Sequence, residues 1–218
     1  MIAVALLSAC SPITSSASAE EAVRIAAPTL DPADTRTSAT AILAGGCFWG
    51  VEGVFSHVRG VARIQSGYHG GTADDATYDA VSGGDTDHAE AVRITYDPRV
   101  VSYGSLLRIF FSVVTDPTTL NAQGPDTGRQ YRSAIIPANA SQRRVAAAYI
   151  AELERGTYWS APIVTRVEAP LTFYPAEAYH QNFMEAHPTH GYIRRWDQPK
   201  LANFRAMYPT LYRTAPAP

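Results

Sequence analysis

The chain predicts an α+β fold: a ferredoxin-like, split βαβ two-layer sandwich with extra elements at its C-terminal end. Three observations predict it. From Thr40 to residue 136, apolar runs read strand, helix, strand, strand, helix, strand. Turn signals stand between them, notably Gly70-Gly71 and Asp97-Pro98. Finally, 218 residues at 46% hydrophobic and 17% charged suit one soluble domain with a sizeable core.

Each element has its own signature. Thr40-Ala41-Ile42-Leu43-Ala44 reads as a buried strand over 40–45. A helix over 47–58 follows, with Val51, Val54, Phe55 and Val58 at helical spacing. A second strand covers about 61–68 and a short helix 76–82. The third strand, 88–96, alternates: His88, Glu90, Val92, Ile94 and Tyr96 share one face, and Ala89, Ala91, Arg93 and Thr95 the other. Ser102 is a fair N-cap for a helix over 103–114 that turns Leu106, Leu107, Phe110 and Phe111 to one side. A polar loop over 115–130 leads to a strand at 131–136. A helix over 140–155 starts at Asn139 and stops at Gly156. A strand over Ile163–Glu168, a short helix over 176–186 and an irregular, aromatic-rich wrap over 192–212 complete the domain.

Charge excludes one class of function. The formal net charge is -2 and no basic stripe exists, so nothing points to nucleic acid. The six histidines are scattered without Cys-x-x-Cys or His-Glu-x-x-His spacing, which argues against a metal centre.

The N-terminal segment reads as targeting information. Residues 1–19 are expected to be an export signal. Leu7-Ser8-Ala9-Cys10 has the pattern of a lipoprotein signal, with cleavage before Cys10 and a lipid on its sulfur. Ala17-Ser18-Ala19 offers a competing cleavage site after Ala19. No Lys or Arg precedes the short apolar run, which argues against both. The expected address is periplasmic or membrane-anchored in a bacterium. Residues 20–38, rich in Ser, Ala, Thr, Pro and Asp, read as a flexible linker; 39–212 read as the catalytic domain and 213–218 as a tail.

The candidate chemistry centres on Cys47, the second of two cysteines. Gly45-Gly46-Cys47-Phe48-Trp49-Gly50 places it where a strand turns into a helix. Free N–H groups and the positive end of the helix dipole favour a thiolate there. Trp49 points about 100° round the helix from the neighbouring position, off the core stripe. It is either the wall of an apolar pocket beside the nucleophile or a packing contact for the C-terminal segment. Glu90 shares a face with Val92 and Ile94. On the core side, desolvation would make it a proton donor near neutral pH; at an exposed strand end it would be an ordinary carboxylate. Tyr78, Tyr131 and Asp126 supply two phenols and a carboxylate in loops between glycines.

These motifs, with Gly67-Tyr68-His69-Gly70-Gly71, His88-Ala89-Glu90-Ala91-Val92, Gln130-Tyr131-Arg132-Ser133 and Tyr179-His180-Gln181, resemble peptide methionine sulfoxide reductase A. The resemblance runs from about residue 40 to about 209. It implies that Cys47 attacks the sulfoxide sulfur and becomes a sulfenic acid. Phe48 and Trp49 would hold the substrate methyl group, and Glu90 would protonate the departing oxygen. Tyr78 and Tyr131 would hydrogen-bond that oxygen, with Asp126 assisting. It implies the S epimer of methionine sulfoxide, free or in proteins, no bound cofactor, and repair of oxidised proteins.

Two features depart from the common pattern. No cysteine follows Cys47, so an external thiol must regenerate it: a thioredoxin-like or glutaredoxin-like protein, or a small thiol. Asp87 stands where the family usually has Gly. Two other readings stay open here: a tethered binding module for oxidised or Met-rich segments without turnover, and a Cys–His hydrolase using Cys47 with His180 or His88. A monomer is expected, because no coiled-coil pattern is present.

Overall fold

The computed structural model describes residues 21–218. The export signal, its two cleavage sites and Cys10 lie outside the described residues.

The main sheet uses β1 (Ala39–Gly45), β2 (Val61–His69), β3 (Ala89–Tyr96), β6 (Ser133–Ile136), β7 (Arg166–Val167) and β8 (Phe173–Pro175). Its order is β7-β6-β1-β3-β2-β8. The central four, β6-β1-β3-β2, are mutually antiparallel in the split βαβ arrangement expected. β8 adds antiparallel to β2 and β7 adds parallel to β6. A separate hairpin joins β4 (Ala122–Gln123) to β5 (Asp126–Thr127).

Alternation along the strands builds two apolar layers. Ala41, Leu43, Val92 and Ile94 face the larger core with α1 (Phe48–Ser56), α3 (Tyr103–Ile109) and α4 (Ala140–Arg155). Ala44, Ala89, Ala91, Ala134 and Phe173 form a smaller cluster on the opposite face. Val54, Phe55, Leu106 and Phe110 are fully buried. Each such side chain contributes about 1.5–3 kcal/mol on burial.

Caps behave as their chemistry requires. Ser102 accepts from the Ser105 N–H at 3.1 Å, and Asn139 from the Gln142 N–H at 3.0 Å. The helix expected over 103–114 changes pitch: α3 ends at Ile109 and a π-helical turn covers Phe110–Val114. The short helix expected over 176–186 is broken at Asn182, which is left-handed with φ 54. A 3₁₀ turn over Ala178–His180 precedes the break and α5 (Phe183–Ala186) follows it. The buried Glu52 accepts from the Asn182 N–H at 2.8 Å and holds that break.

Four expectations need correction. The strand expected over Ile163–Glu168 shrinks to the two residues of β7, and β8 was not anticipated. The wrap expected to be irregular over 192–212 contains a π-helical turn, Ile193–Asp197, running into α6 (Gln198–Met207). Ile193 and Phe204 are fully buried against the domain. The third correction concerns 21–38, which is no free linker. It lacks regular structure, but Ile25 is buried and Asp31 accepts from Ser102 Oγ at 2.5 Å and from the Gly104 N–H at 3.0 Å. The Tyr149 hydroxyl donates to the Ala26 carbonyl at 2.6 Å. Tertiary partners, not local periodicity, order this segment. Likewise the expected tail 213–218 is tied down: the Ala217 N–H reaches the Ser56 carbonyl and the Pro218 carbonyl accepts from Ile64.

Candidate active site

The strand-to-helix turn at Cys47 rests on backbone that only glycine tolerates. Gly46 has φ +92, and a Cβ there would lie 2.6 Å from Gln123 Cβ. Gln123 is itself fixed, accepting from the Asp116 N–H and donating to its carbonyl. Cys47 thereby becomes the N-cap of α1. It is free and partly exposed.

Glu90 comes from the core face of β3 and is 2% exposed. Its carboxyl accepts from the Phe48 N–H at 2.9 Å, so it meets the same helix end that carries the thiol. Burial pushes it up to about 8, against that hydrogen bond, with smaller pushes from Asp126 and Asp197. The carboxyl is therefore neutral near pH 7, which resolves the two readings of Glu90 in favour of the core. The thiolate expectation for Cys47 is overturned. Burial raises the thiol well above its ordinary range, and Glu90, Asp197 and Asp126 push the same way; the Trp49 N–H opposes them. A single helix end is too weak to hold a thiolate against that field.

The phenols stand around this pair. Burial raises Tyr78 and Tyr131, and the Glu90 charge adds to both. Each remains a neutral donor, and each feels the Cys47 sulfur. Tyr78 starts α2 (Tyr78–Ser82), and its N–H donates to Glu177 at 2.8 Å. The other Glu177 oxygen accepts from the Tyr68 hydroxyl at 2.8 Å. Partial burial opposes ionisation of Glu177, but these hydrogen bonds hold it below the ordinary carboxylate range. Asp126 sits on β5 and accepts from the Tyr192 hydroxyl.

Aromatic groups form the remaining wall. Phe48 is buried, with its ring 5.0 Å from His180 and 5.9 Å from Tyr68. Trp49 is partly exposed; it stacks on Phe183 at 3.8 Å and donates from Nε1 to His180 Nδ1 at 3.1 Å. Both readings of Trp49 are thus partly realised: one side packs on the C-terminal segment while the ring stays open beside Cys47. Cys47, Phe48, Trp49, Tyr78, Glu90, Asp126 and Tyr131 all converge.

Three contributors escaped the sequence reading. Tyr192 and Asp197 lie in the segment expected to be irregular, and Glu177 lies at the start of the short helix expected over 176–186. Near-helical spacing of Ile193, Trp196, Leu201 and Phe204 was the available signal, interrupted by Pro199. The Cys–His pairing does not form. Nδ1 of His180 is committed to Trp49, and His88 binds the Gly71 N–H and the Thr72 carbonyl. Asp87 leaves the turn intact: its side chain pairs with Arg129 at 2.7 Å in solvent, and its carbonyl accepts from Arg132.

Comparison with known proteins agrees with this architecture. The family model for peptide methionine sulfoxide reductase matches residues 39–211. Peptide methionine sulfoxide reductase MsrA 2 of Mesorhizobium japonicum is 54% identical over 179 residues, covering 82% of this chain and 92% of that protein. The MsrA 2 of Synechocystis sp. is 52% identical over 181 residues, covering 82% and 85%. Among solved structures, reduced Mxr1 from Saccharomyces cerevisiae superposes with a TM-score of 0.65 at 32% identity, over 74% of this chain and 92% of that one. Methionine sulfoxide reductase A of Corynebacterium diphtheriae gives 0.59 at 30% identity, over 72% and 78%. With a family match across most of its length and relatives above 50% identity, the chain belongs to the peptide methionine sulfoxide reductase A family.

Proposed function

We propose that the protein reduces the S epimer of methionine sulfoxide, free or within proteins, to methionine at Cys47, and so repairs oxidised proteins. The observation that carries this reading is the neutral, buried Glu90 carboxyl anchored to the Phe48 N–H beside the Cys47 thiol. A sulfoxide oxygen is a strong acceptor on a small apolar group. Glu90, Tyr78 and Tyr131 offer three neutral donors to that oxygen, while a thioether without the oxygen leaves them unmatched. Trp49 forms the open apolar wall for the methyl group; Phe48 backs it from the core. Asp126, held by Tyr192, keeps the polar side of the site in place.

Proton donation to the oxygen draws electrons from the sulfoxide sulfur and lets the Cys47 sulfur attack as it loses its own proton. The substrate sulfur gains two electrons and Cys47 loses two. The thiol and the sulfoxide become a sulfenic acid and a thioether, with no atom unaccounted for. Two external thiols then return Cys47 to the thiol, releasing water and a disulfide. The absence of any cysteine after Cys47 supports a single-cysteine cycle with an outside reductant, thioredoxin-like, glutaredoxin-like or small. The protein works as a monomer at an exported, periplasmic or lipid-tethered address, supported by the pattern around Cys10 and Ala19.

The test is multiple turnover of each N-acetylmethionine sulfoxide epimer with dithiothreitol. Sustained loss of the S epimer alone is the expected result. One equivalent followed by silence, with reductant still present, would favour a binding module and end the enzymatic reading.

A further inference from the structure

Beside the active site, on the opposite face of the sheet, lies a second cavity of about 380 Å³. It is lined by His69, Arg129, Arg132, Arg166, Asp87 and Glu168, among others. Three guanidinium groups meet two carboxylates, so the cavity carries an excess of one positive charge. Glu168 is taken by Arg132, at 2.7 Å and 3.2 Å. Asp87 is paired with Arg129, but both side chains are well exposed, 71% and 60%, and solvent weakens that pair. Arg166, exposed on β7, has no ion pair among the described residues. His69 is fully buried, and neither ring nitrogen has a hydrogen-bond partner; the nearest carboxylate oxygen, on Glu168, is 3.7 Å away. A cavity wall built with spare donors and surplus positive charge suits a carboxylate.

Its position says where such a carboxylate comes from. Loop residues 129–132 separate the two sites. Tyr131 of that loop is coupled to Glu90 and Cys47, while Arg129 and Arg132 line the cavity. On β3, Glu90 faces the thiol and the adjacent Ala89 belongs to the cluster on the cavity's side of the sheet. The two sites share this one short loop, and an extended substrate advancing about 3.3 Å per residue passes a loop of that size in about two to four residues.

We propose that this cavity receives the side-chain carboxylate of an Asp or Glu lying about two to four residues from the oxidised methionine, making acidic segments the preferred protein substrates. The proposal rests on the reductase reading above and adds a substrate class to it.

The experiment compares kcat/KM for matched peptides carrying Glu, Gln or Lys at those offsets from methionine sulfoxide, with dithiothreitol as reductant and N-acetylmethionine sulfoxide as control. In the wild type the Glu peptide should exceed the Gln peptide about three- to fivefold at low salt, and the gap should close at high salt. Arg166→Glu should reverse the order, favouring Lys, and leave N-acetylmethionine sulfoxide untouched. Equal values for the Glu and Gln peptides in the wild type, or a Glu preference that survives Arg166→Glu, would overturn the cavity assignment. Failure to turn over N-acetylmethionine sulfoxide in the wild type would instead strike the reductase reading.

Discussion

Replacing Glu90 with Gln separates the chemistry of this carboxyl from its structural role. Gln keeps an oxygen to accept the Phe48 N–H, which Glu90 now accepts at 2.9 Å, but it has no acidic proton. With its carboxyl pushed up to about 8, Glu90 is about nine-tenths protonated at pH 7. Losing a positioned acid slows its step by about 10² to 10⁴. Single-turnover reduction, read by rapid quench and mass of the protein, should therefore fall at least about a hundredfold in Glu90→Gln at pH 7. The wild-type rate constant should lose a proton-dependent factor as pH rises through about 8, and the variant should not.

Stability should move the other way. The folded carboxyl binds its proton more tightly than the unfolded one, from 4.5 to about 8, so the native state is increasingly disfavoured as pH rises through that window. Below about 4.5 both states are protonated and the effect vanishes. At pH 7 the span is about 2.5 units, or on the order of 3 kcal/mol as an upper bound. Glu90→Gln should thus resist urea better than the wild type at pH 8 and equally at pH 4. A variant that reduces sulfoxide at the wild-type rate with the same alkaline fall would refute the acid role. One that gains no stability above pH 5 would refute the desolvation argument.

Other consequences are direct. Cys47→Ser should abolish reduction without unfolding the domain, and wild-type protein after one turnover without reductant should gain one oxygen on Cys47 by mass spectrometry. Trp49→Phe keeps a ring against Phe183 but loses the bond to His180 Nδ1; KM should rise about three- to tenfold with a smaller change in kcat, measured by steady-state kinetics. Gly50→Ala places a Cβ 2.2 Å from Asp197 Oδ1, an overpacking that should destabilise by about 1–3 kcal/mol in urea titration. Asp31→Ala removes the acceptor for Ser102 and the Gly104 N–H; a loss of about 1–3 kcal/mol, with faster hydrogen exchange over 21–38, is expected.

Much of this protein is written in local pattern. Alternation along 88–96 put Glu90 with Val92 and Ile94, and periodicity over 47–58 buried Val54 and Phe55; both signals depend only on strand and helix pitch. The glycines around Cys47 marked the turn, because few residues adopt a positive φ. These were enough for the element order of the split βαβ fold; that Cys47, Trp49, Glu90, Tyr78, Tyr131 and Asp126 meet in one site was implied by the resemblance to peptide methionine sulfoxide reductase A, not by pitch.

Tertiary contact decided the rest. The protonation of Cys47 reversed because tertiary packing buries the thiol and brings acidic groups from β3, β5 and the end of the π-helical turn at Asp197 towards it, and no local spacing records that environment. Residues 21–38 carry no periodicity; besides the local Asp34–Arg36 pair, they are held by hydrogen bonds to distant elements such as α3 and α4. Tyr192 enters the site at the head of the π-helical turn, where Asp126, far away in the chain, accepts from its hydroxyl. Sequence determines which face a side chain takes within its own element, a matter of pitch. Which charges and hydrogen bonds that side chain meets is set by packing between elements far apart in the chain, and here that packing sets the acidity of the site.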